Sequence, residues 1–278
     1  MGDTAAESTP RRARGRPRGW DDKTEQNTIK SLDRAMAVFE YLSENPGLAL
    51  SEIATRMGQS PATIYRILVT LEGRGLVEFD AGAQVWHIGS RAFVIGARFL
   101  RRTSLVERAR PFLRQLMEET GETANLGIVQ GANVLFVSQV ETQATIRAFF
   151  APGTLSPLHS SGIGKALLSQ MDPARRDRLL GHDPLEAFTP HTLTDRQALS
   201  ADLDRARALG FAEDREEKNL GMRCIAAPVF DIHDEAVAGI SVSGPTSRMP
   251  EEAVPALGRA VAGAARNLTL ALGGTAPA

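Results

Sequence analysis

At 278 residues, with 42% of them hydrophobic, the chain is long enough for two domains with ordinary buried cores. Its single cysteine excludes a disulfide framework. With no apolar run of about 18 residues and no apolar N-terminal segment, the sequence speaks against a membrane span, a membrane partner or a secretory signal, so the cytoplasm is the expected location. The formal net charge is −1, and residues 1–91 alone carry twelve Arg and Lys against twelve Asp and Glu. Any nucleic-acid partner must therefore be argued from where charges sit rather than from their sum.

The charges sit unevenly. Residues 10–19, PRRARGRPRG, hold five arginines and no acid among helix-breaking Gly and Pro. Arg14, Arg16 and Arg18, spaced by Gly15 and Pro17, resemble an AT-hook, an extended arm whose arginines enter the narrow minor groove of A·T-rich DNA. The alternative is a disordered basic tail that touches phosphates without preference. Residues 31–45, SLDRAMAVFEYLSEN, place Leu32, Ala35, Val38, Phe39 and Leu42 at helical spacing.

Residues 51–75, SEIATRMGQSPATIYRILVTLEGRG, read as two short helices joined by a turn. Ser51 is expected to cap the first and Gly58 to end it; Ser60 is expected to cap the second, with Pro61 in its first turn. In that second helix Ile64, Ile67, Leu68 and Leu71 form one apolar stripe, leaving Thr63, Tyr65, Arg66 and Thr70 outside. Such a helix can lie in a major groove and offer donors to phosphates and base edges, so Ser60, Thr63, Tyr65 and Arg66 are the candidate DNA contacts. Gly73 and Gly75 break the helix, and Leu76–Phe79, a DAGAQ turn and Val85–Ile88 complete a hairpin, or wing.

Residues 90–102 predict a linker helix too apolar to be a free tether, suited to pairing with a second copy over a two-fold-related operator. A helix over 104–120 follows, stopped by Gly121. After it come β-rich runs at 123–130, 133–140 and 145–150, expected to form an antiparallel meander. Helices are predicted at 162–171, 173–180 and 194–209, the last started by Thr194. Strands at 224–230 and 236–243 flank DIHDE, and a helix covers about 250–271. Strands at both ends with helices between them predict an α+β domain built on one mainly antiparallel sheet.

With these stretches on view, the chain resembles IclR-type transcriptional regulators. The likeness rests on the winged helix-turn-helix, on LHSSGIGKALLSQM at 158–171, GFAEDREEKNLGMRCIAAPVFD at 210–231 and AGISVSGPTSR at 238–248, and covers about residues 27–271. It implies a GAF-like second domain that binds a small organic ligand and assembles into homodimers or homotetramers. The expected division is a basic arm over 1–26, a winged helix-turn-helix over 27–90, a linker helix over 91–103, the effector domain over 104–273 and a tail over 274–278.

The chemistry concentrates in the three C-terminal motifs. Ser160–Gly164 opens a helix whose free N–H groups favour an anion. Ser241 and Ser243 are two apart on a strand and so share a face, Met222 and Cys224 supply a compact wall, and Asp214 can accept from a ligand hydroxyl. The resemblance implies that Gly162, Ile163, Asp214, Cys224, Ser241 and Ser243 hold a small 2-oxo acid such as glyoxylate or pyruvate. On residues alone, the two serines could equally be small packing residues and Cys224 an inert small hydrophobe.

Enzyme motifs are missing. Gly164-Lys165 lacks the first glycine and the hydroxyl residue of a phosphate loop, since His159 and Ala166 stand there. There is no G-x-S-x-G, C-x-x-C or H-E-x-x-H. A Cys224 nucleophile with His159 as base is the remaining enzymatic arrangement. The expectation is a regulator rather than an enzyme, without cofactor or metal, binding a palindromic double-stranded operator as activator or repressor in response to a small carboxylate. Its alternatives are an aromatic acid as effector, or an architectural DNA-binding protein whose second domain only oligomerises.

Overall fold

The computed structural model describes residues 28–102 and 105–275, which divide into two compact units between Gly96 and Ala97. Arg14, Arg16 and Arg18 of the basic arm lie outside the described residues.

The first unit contains α1 (Lys30–Glu44), α2 (Leu50–Arg56), α3 (Pro61–Glu72), β1 (Val77–Asp80) and β2 (Val85–Ile88). Val38, Leu42, Ile53, Ile64, Leu68, Leu71, Val77 and Trp86 close its core, with Ile67 and Phe39 partly buried against it. Leu32 departs from the expected stripe: the first turn of α1 overhangs the core and leaves this side chain 57% exposed. Ser51 is likewise not a cap. The helix begins one residue earlier, after Ala49, whose N–H is taken by the Glu52 carboxylate at 2.8 Å. Ser60 does cap α3, accepting the Thr63 N–H, with Pro61 at its first position. Gly73 keeps a right-handed backbone, and the reversal falls on Gly75 at φ +68°. The strands pair from Val77 opposite Ile88 to Asp80 opposite Val85, and Asp80 Oδ1 accepts the Gly82 and Ala83 N–H groups in the turn.

Helix α4 (Ser90–Arg102) is followed in the second unit by α5 (Leu105–Thr120), β3 (Thr123–Gln130), β4 (Asn133–Val140) and β5 (Leu155–Pro157). Then come α6 (Gly162–Ser169), α7 (Pro173–Leu180), α8 (Arg196–Leu209), β6 (Ala212–Arg215), β7 (Met222–Phe230), β8 (Ala236–Pro245) and α9 (Val254–Ala271). The strands form one antiparallel sheet in the order β5-β4-β3-β8-β7-β6. One face is apolar: Leu126, Ile225, Ala227, Ile240 and Val242 pack with Leu113 and Leu116 of α5 and Val261, Ala265 and Leu268 of α9. Against the other face lie α6 and α8, through Ile163, Leu167, Leu199 and Leu203.

Two expectations fail in this unit. Residues 145–150 are not a strand: the Ile146 carbonyl is taken by the Arg248 guanidinium at 2.9 Å and the Ala148 carbonyl by the Thr123 hydroxyl at 3.1 Å, so side chains replace the ladder. The edge place beside β4 goes to β5 instead. Strand β6 was hidden because AEDR carries no apolar alternation, although Ala212, Glu213 and Asp214 are all buried. Helix α8 starts two residues later than expected. Asp195, not Thr194, caps it by accepting the Ala198 N–H at 2.7 Å.

Candidate functional site

On the first unit the exposed side of α3 carries Tyr65, 54% exposed, and Arg66, while Thr63 is partly buried. The hydroxyls are already engaged: Ser60 Oγ and Thr63 Oγ1 lie 2.9 Å apart, and Thr70 donates to the Arg66 carbonyl at 2.7 Å. Arg66 is therefore the strongest free donor of the set. It opens on a cleft of about 480 Å³ lined by Ser31, Arg34, Thr63 and Thr70. Ser31 and Arg34 come from α1, where the sequence singled out only the apolar residues.

In the second unit the register of the sheet assembles the remaining candidates. Asp214 pairs with Cys224, Cys224 with Ser243, and Ser241 with Ala226 and Asn125, all on the face covered by α6. Ser161 caps α6 by accepting the Gly164 N–H at 3.0 Å, which leaves Gly162 and Ile163 as the first residues whose amides the helix cannot itself satisfy. The helix comes this close because glycines face it. A Cβ on Gly239 would stand 2.7 Å from Ile163 Cγ2, and one on Gly162 would stand 2.7 Å from Cys224 Sγ.

The result is a small, largely closed cavity of about 20 Å³ lined by Ser161, Gly162, Ile163, Asp214, Met222, Cys224 and Ser243. Ser241 does not line it. That side chain is fully buried beneath, where Asn125 Nδ2 donates to Ser241 Oγ at 3.4 Å and to Ser243 Oγ at 3.3 Å, and Gln139 in turn donates to Asn125 Oδ1 at 3.1 Å. Asn125 and Gln139 had no signal in the sequence, because only the β3–β4 and β3–β8 registers bring them beside the serines. Two aromatic residues were missed as well. Phe136 and Phe150 stack with centroids 4.7 Å apart and form an apolar wall of the cavity. Lys218 and Asn219 close the rim.

Electrostatics set the state of each group. Burial, then the neighbouring Glu217 charge, pushes Asp214 up to about 7 against the opposing Glu217 and Lys218 amides and the Lys165 charge. Burial, then Asp214, pushes the Cys224 thiol up to about 11. A thiol raised in this way is protonated near neutral pH and is a poor nucleophile. His159, the base of the enzymatic arrangement, turns Nε2 to the Glu186 carbonyl at 2.9 Å and stacks on Phe188, and burial lowers its pKa. These groups gather around a small polar cavity, and Cys224 and His159 are not set as nucleophile and base.

A lysine that the sequence offered only as part of a failed phosphate loop is the largest fully buried side chain among the described residues. Lys165 Nζ meets Asp202 Oδ2 at 2.8 Å and also bonds Glu217 Oε1. Burial works against its charge, yet Glu217 and Asp202 together hold its pKa above the ordinary lysine value. Glu217 in turn donates its N–H to Asp214 Oδ1 at 2.7 Å, so the buried ion cluster sets the segment that carries Asp214 and Lys218.

Comparison with known proteins agrees with both halves. Residues 31–81 match the model for the IclR helix-turn-helix domain, and residues 97–270 match that for the bacterial transcriptional regulator IclR C-terminal domain. The chain is 53% identical over 264 residues to the HTH-type transcriptional regulator BhcR of Paracoccus denitrificans, covering 94% of this chain and 95% of that one. Among solved structures, the Thermotoga maritima IclR aligns with a TM-score of 0.75 at 28% identity, over 88% of this chain and all of that one. An IclR homologue from Microbacterium hydrocarbonoxydans, complexed with 4-hydroxybenzoate, shares the fold with a TM-score of 0.78 at 22% identity, over 87% of this chain and 98% of that one. The chain belongs to the IclR family of DNA-binding, ligand-responsive transcriptional regulators.

Proposed function

We propose that this regulator senses a small carboxylate, a 2-oxo acid such as glyoxylate or pyruvate, and that occupancy of the cavity changes its grip on the operator. The observation that carries the reading is the convergence of the α6 N-terminus and Ser243 on a closed space of about 20 Å³. That volume suits a few heavy atoms at most. The amides at the start of α6, that of Gly162 beside the Cys224 sulfur, and the helix dipole favour an anionic end, while Ser243, backed by Asn125, supplies an oriented hydroxyl. Calorimetry on the full chain tests it: glyoxylate or pyruvate should give heat and a raised melting temperature. Ser243→Ala should weaken that binding by about 1.5 to 3 kcal/mol, the range for a hydrogen bond to a charged group. Ser241→Ala is expected to act the same way through loss of the Asn125 support, with operator affinity in the absence of ligand unchanged. Heat from an aromatic acid alone would overturn the small-acid reading.

The second reading, an aromatic acid, is favoured by the Phe136–Phe150 wall, which could move apart to admit a ring. Including 4-hydroxybenzoate in the same titrations separates the two.

The DNA side of the proposal assigns Ser60, Thr63, Tyr65 and Arg66 to the major groove and Arg14, Arg16 and Arg18 to a flanking minor groove. Exposed Phe93, Val94 and Ile95 on α4 support pairing of two copies over a palindromic operator, as a dimer or a tetramer built from dimers. Arg66→Ala is expected to cost about 1 to 3 kcal/mol of operator affinity and to relax specificity at one position of each half-site. An unchanged footprint and affinity at fixed salt would remove α3 from the groove.

A further inference from the structure

Of the carboxylates around the cavity, Asp214 stands apart from the ion pairs. Among the described residues, no lysine or arginine nitrogen lies within ion-pair distance of Asp214. Lys165 is consumed by Asp202 and Glu217, Asp202 shares its other oxygen with Arg205, and Glu217 Oε2 is buried without a partner. Asp214 is left with backbone amides alone, those of Glu217 and Lys218, and the cavity before it. A second carboxylate, the effector's own, must enter a space of about 20 Å³ that Asp214 already lines. Two carboxylates sharing such a site do not both stay ionised.

We propose that the effector carboxylate binds together with one proton held on Asp214, so that Asp214 donates a hydrogen bond to the ligand instead of accepting one. The inference rests on the small-acid reading above. No covalent bond changes: below neutrality the carboxyl already carries the proton, and above it the proton comes from solvent as the ligand enters. The groups facing Asp214 agree. On its own segment Glu217 opposes a second negative charge, and Lys218 at the cavity rim sets its nitrogen 3.2 Å from the Phe188 ring centroid, acting on Asp214 only through space and without an ion pair. From α6 Lys165 is committed to the ion cluster, which α8 completes with Asp202. From β7 Cys224 is a neutral thiol, while Arg223 is held by Glu213 at 3.0 Å. Ser243 on β8 does not titrate. Burial and the Glu217 charge raise Asp214 to about 7, within reach of the pH range where a regulator works. His159, whose Nε2 is turned to the Glu186 carbonyl at 2.9 Å, is shifted the opposite way, lowered by burial from its ordinary value.

The experiment is calorimetric titration of the full-length protein with glyoxylate at about pH 8, in phosphate and in Tris, whose ionisation heats differ strongly. The heats should differ by an amount that reports close to one proton taken up per ligand. Affinity should fall about tenfold per pH unit above neutrality and level off below about pH 6. Equal heats in both buffers and a constant affinity over that range would overturn the proposal while leaving the small-acid reading intact. Asp214→Asn, which carries an amide donor at every pH, should show neither proton uptake nor pH dependence. Persistent uptake in that variant would place the proton elsewhere and sink the assignment. Should the variant not fold, the two-buffer comparison on the unaltered protein decides alone. No heat and no melting shift with glyoxylate or pyruvate at any pH would overturn the small-acid reading and this inference with it.

Discussion

Lys165→Met is expected to destabilise the second unit by about 3 to 5 kcal/mol near neutral pH, the penalty for removing one partner of a buried ion pair. Methionine fills nearly the same volume, so the loss is electrostatic rather than a cavity. Without the ammonium, Glu217 keeps a buried carboxylate with no cation, and Asp202 keeps only Arg205, whose side chain is 45% exposed. The sign of the pH dependence follows. In the native protein the raised Lys165 pKa is a contribution that stays intact at every pH below the ordinary lysine value and fades only in strong alkali. In the variant, Glu217, already raised by burial, rises further and binds a proton that the unfolded chain releases. The deficit should therefore be largest at about pH 8 and shrink towards about pH 5, where Glu217 can fold neutral. Urea unfolding at the two pH values measures this, and a deficit under about 1 kcal/mol at the higher pH would show that the cluster contributes little. Adding Glu217→Gln to the variant should recover part of the loss. Because the Glu217 N–H holds Asp214, ligand affinity should fall in the single variant even where it stays folded.

What could be read from the chain, and what could not, divides along local and long-range interactions. The first unit was legible because its signals are local: Ser60 and Pro61 start α3, and Ile64, Leu68 and Leu71 repeat at the helical period. Leu32 misled because periodicity says which face a residue is on, not whether the core extends under it. In the second unit, Gly162, Asp214, Cys224 and Ser243 lie in separate motifs, and only the β6–β7–β8 register makes them neighbours. The resemblance to a family supplied that grouping; spacing alone gave only the shared face of Ser241 and Ser243. Phe136 and Phe150 were invisible for the same reason, being 14 positions apart on a strand and on an irregular segment. Lys165 did leave a trace. A helix reading GIGKALLS is apolar on every side, so a lysine within it has no wet face and requires a buried partner.

Alanine at Gly162 and at Gly164 makes the same chemical change two residues apart on one helix, and the two outcomes are expected to differ in kind. At Gly164 the new Cβ would stand 2.1 Å from the Leu158 carbonyl oxygen and 2.5 Å from Leu158 Cα, both backbone atoms of the turn that leads into the helix. Relief requires parting α6 from that turn and straining the Ser161 cap at Gly164 N–H. A loss of about 3 kcal/mol or more is expected, at the upper end for overpacking. At Gly162 the nearest atom is Cys224 Sγ at 2.7 Å, a side-chain atom that can swing, followed by the Cys224 carbonyl oxygen at 3.2 Å. Stability should fall by about 1 to 2 kcal/mol at most. The swing, however, carries the thiol or the added methyl into a cavity of only about 20 Å³, so the melting shift and heat from glyoxylate or pyruvate should disappear while operator binding persists. Alanine is the better helix former by up to about 1 kcal/mol, so any loss in either variant is steric rather than conformational. Thermal melts of both proteins with and without the acids make the comparison. A Gly164→Ala protein as stable as the parent would mean that α6 does not sit on the Leu158 turn as described. A Gly162→Ala protein that still binds the acids would move the effector away from the helix start.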